Sequence, residues 1–174
     1  SSYKIVKGLE TRYITQNNQI ICEENNNGII IYQYILNKLV GFTYTTSSGT
    51  KKYLYIRNIQ GDITSIIDTE GNIICTSVIM TTNIEIGNFN LICNRSIVGH
   101  DDEIGDYNTL YPGVLLSGDV HLKTETEIGT GSQIIQGLHI TDEVIMGAGS
   151  TVIEDINEAG TYVGVPVRRV NDEE

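Results

Sequence analysis

Twelve consecutive positions spaced six residues apart are aliphatic in this 174-residue chain: Ile86, Ile92, Val98, Ile104, Leu110, Leu116, Leu122, Ile128, Ile134, Ile140, Met146 and Val152. With roughly a third of residues strongly aliphatic in an average chain, chance yields such a run in about one frame per million. The period excludes the two common origins of regular hydrophobicity, because a helix repeats near ~3.6 residues and a half-buried strand alternates at every second one. A parallel β-helix built from hexapeptides has this period: each hexapeptide turns one aliphatic residue inward, and three of them close one coil.

The residues around the frame agree with that shape. Gly87, Gly99, Gly105, Gly129 and Gly147 each follow an inward residue, where a tight corner favours a residue without Cβ. Ser96, Thr126, Ser132 and Ser150 stand two residues before one and are small enough for the inside of a corner. With 18 residues to a coil and strands stacked about 4.8 Å apart, the frame predicts roughly four full coils between Ile86 and the Asp155 region. Coils of this period wind left-handed, an exception to the usual crossover rule. The frame takes over at about Met80, and what precedes it has another character.

Residues 1–78 hold seven Lys/Arg against six Asp/Glu, net +1, whereas 79–174 hold four against sixteen, net −12. Seven of the ten tyrosines also fall in the first part, so the two parts have different origins or roles. Phosphate binding needs clustered cations, and the acidic part offers only Arg95, Lys123, Arg168 and Arg169, which argues against nucleic acid as a partner. No apolar run approaches the ~18 residues of a membrane span and no signal peptide is evident, so the expectation is a cytoplasmic protein without a membrane partner. Cys22, Cys75 and Cys93 are odd in number and lack a CxxC pair, which reads as reduced structural thiols rather than disulfides or a zinc site.

In 1–78, short β-branched and aromatic runs alternate with turn signals such as Gln16-Asn17-Asn18, Asn25-Asn26-Asn27-Gly28 and Ser47-Ser48-Gly49. The runs lie near 3–6, 12–15, 20–22, 29–35, 39–45, 52–57, 63–67 and 73–76, the spacing of an antiparallel meander. The fold class expected for the whole chain is therefore all-β: a left-handed parallel β-helix over 79–174 preceded by a small antiparallel β meander over 1–78. The stretch Lys52-Tyr53-Leu54-Tyr55-Ile56-Arg57-Asn58-Ile59-Gln60-Gly61-Asp62, followed by Asp68-Thr69-Glu70-Gly71-Asn72, resembles the Rhs/YD-repeat family. Members are long chains whose repeats curl into β-shells, and 78 residues hold too few repeats to close one. The segment reads as a fragment, either a small β cap or a binding module.

The second segment carries a further resemblance. Ile97-Val98-Gly99-His100-Asp101-Asp102-Glu103-Ile104-Gly105-Asp106-Tyr107, then Leu115-Leu116-Ser117-Gly118-Asp119, Met146-Gly147-Ala148-Gly149-Ser150, and Val163-Gly164-Val165-Pro166-Val167-Arg168 are together similar to the sialic-acid and nucleotide-sugar acetyltransferases with a left-handed β-helix. The resemblance implies acetyl-CoA as cosubstrate, no metal, a sugar or nucleotide-sugar acceptor, and a homotrimer with its active site between subunits. Acetyl transfer from a thioester needs the acceptor amine or hydroxyl deprotonated as it attacks, and a histidine titrates in the right range for that. By resemblance His100 is the general base and Asp101 its acidic partner, holding one imidazole N–H and so fixing the tautomer.

The resemblance assigns the acetyl-CoA neighbourhood to Gly118, whose backbone N–H suits a developing oxyanion. It assigns the pantetheine arm to Thr130 and Ala148, and the far end of the cofactor to Val165, Pro166 and Arg168. Thr109 stands where the family has a second, cofactor-contacting histidine.

Other signals compete with this reading. His121 and His139 are 18 residues apart and should stack on adjacent coils as a surface ladder; a metal site like that of γ-class carbonic anhydrases would need a third ligand and two ligands five residues apart, a spacing absent here. The run Asp101 to Asp106, apart from Asp101, reads as a solvated acidic edge. Gly147-x-Gly149 lacks the following helix of a phosphate loop and reads as a corner. Residues 1–78 lack the strand–helix alternation and Gly-rich turn with which the family binds nucleotide sugars. A second reading therefore stands beside the enzyme: a chimeric or rearranged structural or binding protein, with an Rhs-type segment fused to a silent β-helix.

Overall fold

The computed structural model describes residues 2–6 and 9–170, with side chains from Glu10 to Val170, and divides the chain into two compact units, Ser1–Thr69 and Glu70–Glu174. None of the described residues is helical.

The first unit is an antiparallel meander of seven strands in chain order: β1 Ser2–Val6, β2 Leu9–Gln16, β3 Gln19–Asn25, β4 Gly28–Ile35, β5 Lys38–Thr46, β6 Gly49–Arg57 and β7 Ile63–Asp68. Its hairpins follow turn chemistry. Asn17 and Asn18 both lie in the left-handed region (φ 49° and 62°), as the mirror-image two-residue turn that matches strand twist requires. One face gathers aromatic rings, Phe42 stacking on Tyr53 at 4.8 Å and lying 5.7 Å from Tyr55 and 6.5 Å from Tyr32. Among the described side chains of this unit only Thr11 and Gly41 are buried, so it is a single-layer sheet.

Seven of the eight expected runs become these strands. The eighth, Ile73–Cys75, pairs in parallel with Leu91–Ile92 and so starts the coil. The reason is legible afterwards: Ile74 and Met80 extend the six-residue frame backwards, and both pair one coil ahead, with Ile92 and Val98.

The second unit is a solenoid of about five coils, the four expected from Ile86 onward being preceded by one that starts at Ile73–Cys75. Its strands form three parallel ladders with partners 18 residues apart, such as Leu91↔Thr109, Leu116↔Ile134 and Glu103↔His121. The first ladder begins at Ile73–Cys75 and ends where Gly160–Val163 turns back to pair with Arg168–Arg169. The second runs from Ile79–Met80 through Ile97–Val98, Leu115–Leu116 and Gln133–Ile134 to Thr151–Val152. The third holds Glu85–Ile86, Glu103–Ile104, His121–Leu122 and His139–Ile140.

The frame is the core. From Ile92 to Val152 its residues are 0–3% exposed, each buried aliphatic side chain contributing about 1.5–3 kcal/mol. The corners are held from inside: Asn90 N–H donates to Asn72 Oδ1 (2.8 Å), Asn108 N–H to Asn90 Oδ1 (2.7 Å) and Thr126 N–H to Asn108 Oδ1 (2.8 Å), a column spaced at 18 residues. Ser96, Ser132 and Ser150 are likewise buried. The glycines after inward residues have a different cause from the tight turn first expected. Gly99 and Gly129 are not in the left-handed region; a Cβ there would lie 2.6 Å from Gly118 Cα and 2.7 Å from Ala148 N, in the backbone of the next coil. Close stacking of coils, rather than turn conformation, excludes a side chain.

Candidate active site at the His100 corner

Each corner of the coil needs one residue in the left-handed region, and at the corner after the second ladder these are Asn83, Asp101, Asp119 and Gly137, with φ 59°, 61°, 53° and 78°. Asn, Asp and Gly tolerate that conformation best, and this corner uses only them, although Phe89, Arg95, Tyr107 and Glu125 hold the same conformation at the other corners. The consequence is chemical. His100 Nδ1 lies 2.9 Å from Asp101 Oδ2, and the side chains of both are half exposed at the edge of the coil.

Asp101 is held from the other side as well, its Oδ1 accepting a 2.6 Å hydrogen bond from Asn83 Nδ2 one coil earlier. These two bonds, Asn83's first and His100's second, hold the Asp101 carboxyl below the usual carboxylate range. An ionised carboxylate can only accept, so a proton on His100 Nδ1 satisfies this contact. The imidazole rests on Gly118 of the next coil: a Cβ there would come within 2.8 Å of Nε2, 3.0 Å of Cε1 and 3.1 Å of Cδ2. Backbone bonds tie four successive coils together here, Asp101 N–H to Thr82 O (3.1 Å), Asp119 N–H to His100 O (2.7 Å) and Gly137 N–H to Gly118 O (3.1 Å).

The acidic run is not a solvated edge throughout. Asp102 is 0% exposed; its Oδ2 accepts from Gly99 N–H (2.6 Å) and its Oδ1 from Val120 N–H (2.9 Å). It therefore brackets His100 within its own coil and fastens that turn to the coil carrying Gly118. Burial outweighs the two N–H donors and pushes its carboxyl above the ordinary range. The signal was present: Asp102 stands two residues before inward Ile104, the position that Ser96 and Thr126 fill elsewhere. Asp106 and Glu103 are engaged too, Asp106 Oδ1 accepting from Asn88 N–H (2.7 Å) and Glu103 Oε2 meeting His121 Nδ1 (2.9 Å).

The remaining candidates spread over the solenoid. Thr130 and Ala148 are stacked one coil apart at the corner that precedes the second ladder's strands, while His100 and Gly118 follow them; the two groups flank one ladder. The turn with Val165 and Pro166 is fastened to Ala148's coil, Gly164 N–H donating to Ser150 Oγ (3.2 Å) and Thr151 N–H to Gly164 O (3.0 Å). Arg168 is exposed and pairs with Val163, whereas Arg169 is the arginine engaged in an ion pair, 2.9 Å from Glu158. Thr109 lies on the first ladder between Leu91 and Glu127, away from the His100 corner.

His121 and His139 stack as the spacing implies, ring centroids 4.4 Å apart at 5°. His121 turns its nitrogens to carboxylates, Nδ1 to Glu103 and Nε2 to Asp119 Oδ1 at 3.4 Å. Among the described residues no three ligating side chains converge as a metal site would need. Beside this stack lies an open groove of about 310 Å³ whose lining includes Glu85, Gly87, Glu103, Gly105, His121 and Lys123.

No protein-family model matches the sequence, and no curated protein does. Solved structures do. WeeI from Acinetobacter baumannii AYE is 31% identical over 61% of this chain and 57% of its own, with a TM-score of 0.57. A maltose O-acetyltransferase from Clostridium difficile 630 is 25% identical over 57% of this chain and 68% of its own (TM-score 0.47). A single-residue mutant of GDP-perosamine N-acetyl transferase from Caulobacter crescentus, in complex with CoA and GDP-perosamine, is 21% identical over 58% of this chain and 57% of its own (TM-score 0.42). The chain thus spans 57% of the length of WeeI.

Proposed function

We propose that this chain is an acetyl-CoA-dependent acetyltransferase acting on an amino group or hydroxyl of a sugar or nucleotide sugar, working as a homotrimer with His100 as general base. The observation that carries the reading is the His100 Nδ1–Asp101 Oδ2 contact of 2.9 Å, with the imidazole laid against Gly118. Asp101 keeps the proton on Nδ1, so Nε2 takes a proton from the acceptor as its nitrogen or oxygen attacks the thioester carbon. The carbonyl oxygen gains charge, for which the Gly118 N–H is the proposed donor, and the tetrahedral species then expels CoA thiolate, which recovers the proton from His100. Thr130, Ala148, Val165, Pro166 and Arg168 are the proposed track for the pantetheine arm and its far end, which the fastening of the Val165-Pro166 turn to Ala148's coil supports.

One observation favours a second reading, in which the coil is silent and the protein is structural or binding. The first unit is a single-layer antiparallel sheet with an aromatic face, not the strand–helix alternation of a nucleotide-sugar domain. The Rhs/YD resemblance belongs to this reading. A thiol-release assay with acetyl-CoA and UDP-amino sugars separates the two. The enzyme releases CoA and His100→Ala loses about 10²–10⁴-fold in kcat. Equal inactivity of both, with no shift of Tm by acetyl-CoA, sinks the enzyme reading. Solution mass tests the trimer.

A further inference from the structure

Asn83 belongs to none of the motifs that point to acetyl transfer, yet it makes one of the shortest polar side-chain contacts of the second unit, 2.6 Å from its Nδ2 to Asp101 Oδ1. It lies 18 residues before Asp101, in the same left-handed column, so its side chain is directed by a backbone conformation that recurs at every coil. Asp101 thereby has its two oxygens divided between two partners, Oδ1 to Asn83 and Oδ2 to His100. A carboxylate with one oxygen anchored has lost the χ rotations that would let the other swing away from the imidazole.

We propose that Asn83 is a positioning residue for the His100–Asp101 pair: by donating to Asp101 Oδ1 it fixes the carboxylate so that His100 is held in its Nδ1–H tautomer with Nε2 directed to the acceptor. The inference rests on the acetyl-transfer reading above for its catalytic meaning, and on the two hydrogen bonds alone for its structural content. Asn83 is exposed, so its replacement disturbs no core. The charged groups around it are Asp101 and His100, Asp119 further along the column, Glu85 two residues on, and buried Asp102.

Two variants separate positioning from mere packing. Asn83→Gly removes the donor and keeps the left-handed backbone; kcat falls about tenfold with KM for acetyl-CoA unchanged, the size expected for one charge-assisted bond that acts only through orientation. Asn83→Asp keeps the shape, but the introduced carboxyl can donate only while it shares a proton with Asp101. Its activity relative to wild type therefore declines as pH rises and the shared proton is lost, because two facing carboxylates then repel.

The deciding measurement is long-range ¹H–¹⁵N correlation of the imidazole nitrogens, resolvable with three histidines in the chain. His100 is expected in the Nδ1–H form in wild type, and Asn83→Gly moves it toward the Nε2–H form that free imidazole favours. An unchanged tautomer in Asn83→Gly overturns the proposal even if wild type is active. A shifted tautomer in a protein that turns over no substrate upholds Asn83's hold on the pair and removes the acetyl-transfer reading instead.

Discussion

Replacing Asp102 by Ala tests whether a buried carboxylate holds the His100 turn. The side chain is 0% exposed and accepts two backbone N–H groups, from Gly99 at 2.6 Å and Val120 at 2.9 Å. Ala leaves both donors buried without a partner, at about 1–3 kcal/mol each. Against this, the variant is relieved of the desolvation of a buried charge, which places the expected loss near the lower end, about 2–4 kcal/mol. A loss of that size lowers the solenoid's Tm on the order of 10 °C.

The effect also depends on pH, with a definite sign. The folded-state carboxyl is pushed above its ordinary 3.8, so the folded chain holds the proton more tightly than the unfolded one. The stability linked to that proton is fully present below about 3.8 and is lost as pH rises through the raised value. Asp102→Ala has no such term, and its deficit relative to wild type is therefore larger in mild acid than at neutral pH. Denaturant unfolding across pH gives the energies, and hydrogen exchange at Gly99 and Val120 localises them. A change under about 0.5 kcal/mol, with both amides exchanging as slowly as in wild type, would refute the staple.

Gly118→Ala places a methyl 2.8 Å from His100 Nε2 in a backbone at φ 119°. The ring must move, and turnover should fall about 10²-fold with the far-UV circular dichroism of the solenoid retained; wild-type activity in this variant would mean that the imidazole does not work from this position. Glu103→Gln removes the main cause of the raised His121 pKa. Stability from that pair is present below pH 6.5 and lost as pH rises through the elevated value, so wild type and variant converge in alkaline solution. Both groups are partly exposed, which keeps the difference below about 1 kcal/mol in chemical denaturation; a gap that widens with pH contradicts the assignment.

Most of the solenoid was legible because its rule is local and repeated. Ile92 to Val152 are buried at the predicted positions, and Ser96, Thr126, Ser132 and Ser150 are inside the corners as expected. The errors came where one residue served two roles. Asp102 reads as part of a charged run, yet its place two residues before Ile104 puts it in the corner interior. Ile73–Cys75 has the composition of another meander strand, yet its partner is Leu91–Ile92. Cys75 and Cys93, without a CxxC pair, are 18 residues apart, and their thiols meet on adjacent coils.

What the amino-acid order determined alone was the period: a six-residue frame admits one way of burying its aliphatic residues. The order also placed His100 beside Asp101. Only the stacking of coils decided what those two residues touch. Asn83 and Gly118 come to them from the coils on either side, and Asp102 bonds to Val120, because a rise of about 4.8 Å between coils turns a separation of 18 residues into hydrogen-bond distance.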